Sequence, residues 1–286
     1  MESDCKQATE QEKSMRFYSP LRYPGGKAFL AEEFGRILKT ICLDKPTYVE
    51  PYAGGAGAAL ALLFADKVAN IVINDKDPKI YAFWKAVTED SRKFARKIKA
   101  TPVTIAEWNK QKKIYNNQKS TIFNLGFATF FLNRTNRSGL MNGGPIGGVD
   151  QTGTYKINAR YNKENLADRV LAIGKYRDRI EVRCDDGIDL TRKYLREPNT
   201  FIYLDPPYFV QGAMLYYNEY GEAEHKRLAN LLNKNSSGNW VLSYDERAKI
   251  RNFYIRRHRE RRPFHYRVRD SRKARELMIF SDTTCV

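Results

Sequence analysis

The sequence predicts an α/β fold organised around a mostly parallel sheet, and three observations support this prediction. Short apolar segments with strand character alternate with segments whose apolar residues recur at helical spacing, an order typical of parallel sheets. A glycine-rich turn follows one predicted strand, at 53–57, and the stiff turn Asp205-Pro206-Pro207-Tyr208 follows another, at 200–204. Open parallel sheets bind ligands beyond the carboxyl ends of their strands, so both turns are expected to lie at a site.

The N-terminal part of the chain predicts two strands that are each followed by a helix. Residues 1–15 are polar and are expected to form a flexible N-terminal tail. Pro78 is well placed in the first turn of a helix. The predicted elements are helices over 26–43 and 58–65, strands over 47–50 and 70–75, and a helix from Pro78.

The pattern changes between residues 88 and 163, which are expected to form an inserted, mainly helical domain. The segment holds three polar helical stretches and a glycine-rich loop over 138–153, and loops of that length are usually functional or disordered. The α/β order then resumes, so residues 16–87 and 164–286 are predicted to form one domain around the insertion. The elements predicted from residue 88 onward are helices over 91–100, 104–117, 121–133, 163–176, 190–196 and 222–235, strands over 181–184, 200–204 and 240–243, a short helix after Asp245, and a final antiparallel hairpin over 254–268 and 276–281.

The composition favours a polyanionic partner and a reducing compartment. Lysine and arginine outnumber aspartate and glutamate by 50 to 33, a formal charge of +17, and basic surfaces bind polyanions by releasing counterions. A solvated charged face is the alternative for the arginines after residue 250. We find no membrane-length apolar run and no signal sequence, and we therefore expect a cytoplasmic protein. The four cysteines are scattered and the three histidines form no cluster, so we expect neither disulfides nor a metal site.

Asp205-Pro206-Pro207-Tyr208 is the segment with the clearest chemistry. Each proline lacks a backbone donor and fixes its own φ, so the turn is stiff and presents acceptors, namely the Asp205 carboxylate and backbone carbonyls. With the flat ring of Tyr208 beside them, these acceptors suit a planar amine such as that of an extruded adenine or cytosine. The alternative is a strand-to-loop stop that contains prolines.

Two further segments at the same edge predict a nucleoside ligand. Glu50-Pro51-Tyr52-Ala53-Gly54-Gly55-Ala56-Gly57 can bring backbone close to a ligand, but Leu60 stands where a dinucleotide fold has its third glycine. Asp75 follows the next strand. It can accept the hydroxyls of a ribose or cap the following helix, and the spacing leaves both roles open.

A third segment, Arg22-Tyr23-Pro24-Gly25-Gly26-Lys27, precedes the first predicted helix. It is not a P-loop, because Leu21 replaces the leading glycine and Ala28 replaces the serine or threonine. Lys27 can bind a carboxylate from this position, or it can be a plain exposed lysine.

Taken together, these motifs resemble those of the Dam-type DNA adenine-N6 methyltransferases, which carry an Asp-Pro-Pro-Tyr motif. The resemblance spans nearly the whole chain and includes the order of the motifs. The motifs that carry it are Tyr23-Pro24-Gly25-Gly26-Lys27, Glu50-Pro51-Tyr52-Ala53-Gly54-Gly55-Ala56-Gly57, Asn74-Asp75, Phe131-Leu132-Asn133-Arg134, Asp205-Pro206-Pro207-Tyr208 and Lys273-Ala274-Arg275-Glu276-Leu277.

The resemblance implies a Rossmann-like methyltransferase sheet with a reversed final strand, and S-adenosylmethionine as the methyl donor. It implies that Asp205 and the Pro206 carbonyl hold the two hydrogens of N6, next to Pro207, and that Tyr208 stacks on the flipped base. The residues that it implies for cofactor binding are Tyr23, Lys27, Glu50, Pro51, Tyr52, Gly54, Gly55, Gly57, Asp75, Asp186 and Asp205.

The resemblance also implies that residues 88–163 form a target-recognition domain for double-stranded DNA. Arg134, Arg137, Asn142 and Lys156 are its predicted DNA-binding residues. Arg137 and Asn142 stand where the GATC-methylating members have an aromatic wedge and a guanine-reading arginine, so recognition of GATC does not follow from the resemblance.

The expected function is site-specific methylation of adenine N6 in DNA, in a bacterial, archaeal or phage setting. An N4-cytosine DNA enzyme or an N6-adenine RNA enzyme is an open alternative, because the amine geometry is similar. A catalytically silent nucleic-acid-binding protein on the same fold is another. The sequence leaves open the target site, the oligomeric state and a cognate restriction or defence system.

Overall fold

A seven-stranded sheet in the order β3-β2-β1-β4-β5-β7-β6 forms the centre of the molecule. The computed structural model of the chain describes residues 18–23, 27–208, 220–264 and 274–285, so the predicted tail over 1–15 and the residues Pro24, Gly25 and Gly26 lie outside the described residues. The strands are β1 Thr47–Glu50, β2 Asn70–Asn74, β3 Ile180–Arg183, β4 Thr200–Leu204, β5 Trp240–Asp245, β6 His258–Phe264 and β7 Ala274–Phe280. The predicted α/β fold, with a mostly parallel sheet and an antiparallel final hairpin, is confirmed.

The helices agree with the predicted ones to within a few residues at most ends. The described helices are α1 Leu30–Thr40, α2 Gly57–Phe64, α3 Pro78–Glu89, α4 Ser91–Ala100, α5 Ile105–Asn116, α6 Ile122–Thr135, α7 Lys163–Gly174, α8 Gly187–Tyr194, α9 Glu222–Lys234 and α10 Ala248–Phe253. Short 3₁₀ turns cover Arg137–Gly139, Ile157–Arg160 and Arg177–Arg179. None of these helices combines the length and the apolar character needed to cross a membrane.

The register of the sheet brings several strand ends to one edge. In β1, Val49 pairs with Val72 of β2 on one side and with Ile202 of β4 on the other, and all three strands are parallel. The strand order reverses between β1 and β4, which is where α/β sheets open a crevice for ligands. Strand β7 runs antiparallel to β5 and pairs its Glu276 with Asp245, so the first part of β7 lies at this same edge.

The helices of the insertion pack directly on those of the α/β part. Helix α6 lies against α3, with the rings of Phe83 and Phe130 stacked at 6.1 Å and an interplanar angle of 9°. Gly126 of α6 is the point of closest approach, since a Cβ there would lie 2.4 Å from the carbonyl oxygen of Ala82. The apolar core is therefore continuous across residue 88, and the domain boundary at that residue stays a prediction.

We predict opposite stability effects for two glycine-to-alanine changes. Gly126→Ala should lower the free energy of unfolding by about 1–3 kcal/mol, because the added methyl group forces α6 away from α3. Gly35→Ala in α1 meets no atom within 4 Å and should raise it by about 0.5–1 kcal/mol. Urea unfolding of both variants measures this, and equal effects of the two changes would contradict the close packing of α3 and α6.

Candidate functional site

The side chain of Lys27 lies at the centre of the site and is almost fully buried, with 6% of it exposed. Its Nζ lies 2.6 Å from both carboxylate oxygens of Glu276, 3.1 Å from the hydroxyl of Tyr208 and 3.7 Å from a carboxylate oxygen of Asp205. The alternative of a plain exposed lysine is therefore wrong. One ammonium group connects the segment before α1, the turn after β4 and the start of β7.

Glu276 is a site residue that the sequence reasoning did not single out. It is 1% exposed, and it accepts a hydrogen bond from the Tyr208 hydroxyl at 2.5 Å in addition to the bonds from Lys27. The sequence offered one signal for Glu276: it is the carboxylate that directly precedes the apolar run 277–280. It also lies within the motif Lys273-Ala274-Arg275-Glu276-Leu277, which contributes to the family resemblance. A buried carboxylate needs a paired cation or several donors, and Glu276 has both.

Asp205 is held by two hydroxyl groups in series, one from β5 and one from β4. Its Oδ1 accepts a hydrogen bond of 2.8 Å from Ser243 of β5, and the Ser243 hydroxyl is 2.8 Å from that of Tyr203. Burial raises the pKa of Asp205 to about 6, against the opposing effect of Lys27, so the carboxylate is ionised at neutral pH. Ser243 and Tyr203 were missed, because alternation along a buried strand does not reveal which hydroxyl meets which carboxylate.

The glycine turn after β1 accommodates an aromatic ring and is fixed from two further sides. A Cβ on Gly54 would lie 2.5 Å from the ring of Tyr23, and one on Gly55 would lie 2.9 Å from its Cβ. Gly54, at φ +46°, donates its N–H to Asp75, and its carbonyl accepts a bond of 2.9 Å from the indole of Trp84. A side chain at either glycine would therefore displace Tyr23. At Gly57 an added Cβ would lie 3.2 Å from the backbone nitrogen of Ala28.

Asp75 is tied to the glycine turn and does not cap the next helix. Its carboxylate accepts hydrogen bonds from the backbone N–H groups of Gly54, at 3.1 Å, and Asp77, at 2.9 Å. Asp77 is the N-cap of α3 and accepts from the N–H of Lys79, so the capping alternative for Asp75 is wrong. Burial raises the pKa of Asp75 to about 7, and its half-buried oxygens retain lone pairs for hydroxyl donors.

Glu50 and Pro51 connect the glycine turn to neighbouring elements through hydrogen bonds. The buried Glu50 carboxylate accepts hydrogen bonds from the Tyr48 hydroxyl and the Ala59 N–H in the first turn of α2, and burial raises its pKa to about 8. The Pro51 carbonyl accepts a bond of 2.8 Å from the Asn74 side chain. These contacts fix β1 against β2 and α2, which gives Glu50 and Pro51 structural roles besides the predicted cofactor contacts.

Tyr52 and Asp186 lie at the same edge of the sheet, after β1 and β3 respectively. The Tyr52 hydroxyl is 2.8 Å from that of Tyr220, and its ring lies where a Cβ on Gly187 would clash at 2.5 Å. Asp186 is the N-cap of α8 and also pairs with Lys76 at 3.1 Å. Asp186 therefore lies beyond β3 at the predicted edge, and its predicted contact with a cofactor stays a prediction.

Three of the four predicted DNA-binding residues are exposed in or next to the glycine-rich loop over 138–153. Arg137, Asn142 and Lys156 face solvent, and Lys156 donates to a backbone carbonyl of the same loop. Arg134 differs, because it is half-buried and its Nε donates a hydrogen bond of 2.8 Å to the carbonyl of Arg160. The loop is anchored by Asn136, whose side chain accepts from the indole of Trp108 at 2.7 Å.

The residues at this edge fit the cofactor that the resemblance implies. Asp75 offers acceptors for ribose hydroxyls, and the Asp205 carboxylate offers negative charge for a cationic sulfonium. Lys27 already donates to Glu276 and Tyr208, so a contact between Lys27 and the cofactor stays a prediction. Among the described residues, no group of three or more histidine, cysteine, aspartate or glutamate side chains is placed to hold a metal ion.

Known proteins resemble the chain in sequence and in fold. The family model described as D12 class N6 adenine-specific DNA methyltransferase matches residues 23–269. The type II methyltransferase M.CviBI of Paramecium bursaria Chlorella virus NC1A is 23% identical over 220 residues, which cover 73% of this chain and 76% of the viral protein. The solved structure of the rRNA methyltransferase aviRa from Streptomyces viridochromogenes aligns with a TM-score of 0.39 and 15% identity, over 92% of this chain and 88% of its own.

We predict that Ser243→Ala raises the pKa of Asp205 above its value of about 6, because the lost hydroxyl stabilises the ionised carboxylate. Tyr203→Phe removes the next hydroxyl in the series and should raise the pKa less. Titration of the Asp205 carboxyl carbon by NMR measures both values. An unchanged midpoint in the Ser243 variant would show that this hydrogen bond does not act on Asp205.

Proposed function

We propose a mechanism that rests on one premise: this chain belongs to the D12 class N6 adenine-specific DNA methyltransferases. It therefore methylates adenine N6 in DNA, and methyltransferases of this family use S-adenosylmethionine. Membership decides for adenine in DNA over the cytosine and RNA alternatives, and for a catalyst over a silent binding protein.

The carboxyl edge of the sheet supports the assignment of a cofactor site to particular residues. Asp75 would hold the ribose hydroxyls, and the turn around Gly54 and Gly55, with Tyr23 packed on it, would lie beneath the amino-acid part. Bound there, S-adenosylmethionine supplies a methyl group that its sulfonium has already activated. The protein's remaining task is to hold the adenine amine and stabilise the charge that develops on it.

The observation that carries the proposal is the placement of Asp205 on a stiff turn, between Lys27 and Ser243. The Asp205 carboxylate and the Pro206 carbonyl are acceptors for the two hydrogens of N6. Positive charge develops on N6 as it is methylated, and an ionised Asp205 at fixed position stabilises that charge. Asp205 has a pKa of about 6, so it can also accept the proton that N6 must lose.

Tyr208 provides the stacking surface for the target base. Its hydroxyl donates a hydrogen bond to Glu276 at 2.5 Å and accepts one from Lys27 at 3.1 Å, and these two bonds restrict the orientation of the ring. An adenine must leave the duplex to reach Asp205, and stacking on an aromatic ring offsets part of the cost of extrusion. Pro207 limits the movement of the backbone between the acceptors and the ring.

The same proposal assigns different functions to the two predicted domains. Residues 16–87 and 164–286 carry catalysis, and residues 88–163 recognise a site in double-stranded DNA, with Arg137, Asn142 and Lys156 exposed for contact. Asparagine pairs best with adenine in the major groove, so Asn142 favours an A·T pair. The type II designation of the viral relative supports a restriction–modification setting in the cytoplasm of a bacterial, archaeal or phage-infected cell.

We predict that Asp205→Asn lowers the rate of methyl transfer by about 10²–10³-fold while DNA affinity is kept, because charge stabilisation is lost and phosphate contacts remain. Single-turnover transfer of a labelled methyl group and equilibrium DNA binding measure the two quantities. A variant that retains the wild-type rate would overturn the catalytic role of Asp205.

For Tyr208 we predict that the ring matters more than the hydroxyl. Tyr208→Ala should lose most of the activity, since stacking contributes about 1–3 kcal/mol per base. Tyr208→Phe should retain much of it. The same assay on duplexes with a matched or mismatched target base tests this, and a phenylalanine variant as inactive as the alanine variant would exclude stacking as the main role.

A further inference from the structure

Four arginines from four separate segments lie close together beside the glycine-rich loop over 138–153, which we call the recognition loop. Arg22 precedes α1, Arg134 ends α6, Arg160 lies in the 3₁₀ turn that follows the loop, and Arg169 lies in α7. The guanidinium of Arg22 donates to the carbonyl of Asn136 at 3.0 Å, and Arg134 donates to the carbonyl of Arg160 at 2.8 Å. We call these four residues the arginine cluster.

Among the described residues, the arginine cluster has no carboxylate partner. The guanidinium groups of Arg22, Arg134 and Arg169 donate to backbone carbonyls, that of Arg169 to Ser19 at 3.1 Å, and none of the ion pairs among the described residues involves the cluster. Apart from Arg259, which donates to the carbonyl of Arg251, the partly buried arginines elsewhere in the described chain are paired with acids. These comparison residues are Arg179, Arg183, Arg251, Arg257 and Arg262, with Asp66, Glu181, Glu246, Asp282 and Glu33 as their respective partners.

The cluster is therefore electrostatically unfavourable without a bound anion. Burial, with the like charges of Arg22, Arg169 and Arg160, lowers the pKa of Arg134 to about 9. Burial also lowers the pKa of Arg22 and Arg169, and Arg160 adds to the effect on Arg22. Two buried donors of this region, Arg169 Nε and the Tyr161 hydroxyl, have no hydrogen-bond partner within the described part of the chain, although buried polar groups are normally paired.

We propose that the arginine cluster is a binding site for one phosphodiester group of the DNA backbone. A phosphate brings negative charge and several acceptor oxygens, which suit guanidinium donors converging from several directions. The side chain of Asn133 bonds to the backbone of Arg22 and to Gly139, so the cluster is joined to the start of the recognition loop. A phosphate held there fixes the register of the DNA against the loop without reading sequence.

This inference rests on DNA as the substrate and changes the predicted role of Arg134. Base reading by arginine uses a free, bidentate guanidinium, whereas Arg134 is half-buried and already bonded to the carbonyl of Arg160 through Nε. Arg134 is thus a phosphate-binding residue in this proposal, while Asn142 and Arg137 face the solvent for base contact.

Arg160→Gln is the sharpest test, because the side chain is exposed and its guanidinium lies 5.7 Å from the centre of the exposed Tyr155 ring. Arg22→Gln tests a second member. Each variant should reduce the slope of log affinity against log salt concentration by about one, and weaken specific and random duplexes by the same factor. Arg196→Gln removes the same charge from an exposed position near the opposite edge of the sheet and serves as the matched control.

Duplexes in which single phosphates are replaced by neutral methylphosphonates identify the partner. Replacement at one position should weaken binding of the wild type clearly more than binding of Arg160→Gln, while S-adenosylmethionine affinity is the same in both proteins. Additive losses at every position would overturn the phosphate site, and so would a loss confined to one base pair of the target sequence. A loss of S-adenosylmethionine affinity instead would assign the cluster to the cofactor. Wild-type methylation at low salt tests the proposed function separately.

Discussion

The buried ion pair between Lys27 and Glu276 is the interaction on which the rest of the site depends. Lys27 is 6% exposed and Glu276 is 1% exposed, and removing either partner leaves an uncompensated buried charge, at a cost of about 3–5 kcal/mol. The pair joins the segment before α1 to the last strand of the sheet, 249 residues away. Both residues also contact Tyr208, and Lys27 lies near Asp205, so the turn from Asp205 to Tyr208 is positioned by the same pair.

The reversed strand β7 has a functional consequence as well as a topological one. In the parallel strands only the carboxyl end reaches the edge where ligands bind, so a side chain at the start of a strand would lie at the opposite edge. Because β7 runs antiparallel to β5, Glu276 pairs with Asp245 near the end of β5 and reaches the edge from the other direction. In our proposals the two ligands bind to different surfaces. Asp75 and Asp205, whose pKa values are raised by burial, face the cofactor, and the arginine cluster faces the DNA backbone.

The sequence was sufficient for the order of strands and helices, and for the position of Asp205 at a strand end, because these follow from local periodicity and from prolines. It was insufficient for Glu276 and Ser243, because their partners are chosen by strand register between segments far apart in the chain. The role of Asp75 could not be settled by spacing, since Asp77 is an equally good cap two residues later. Arg134 was predicted from a motif, but only packing shows that it is half-buried beside three other arginines.

The most direct test of this account is a double-mutant cycle between Lys27 and Glu276, read out as the single-turnover rate of methyl transfer. Lys27→Met and Glu276→Gln should each slow transfer, because each leaves the other charge buried beside Asp205 and Tyr208. The double variant should be no slower than the slower single variant, with urea unfolding confirming that all three proteins are folded. If instead the two losses multiply, the residues act independently, and the pair does not position the turn that we propose to be catalytic.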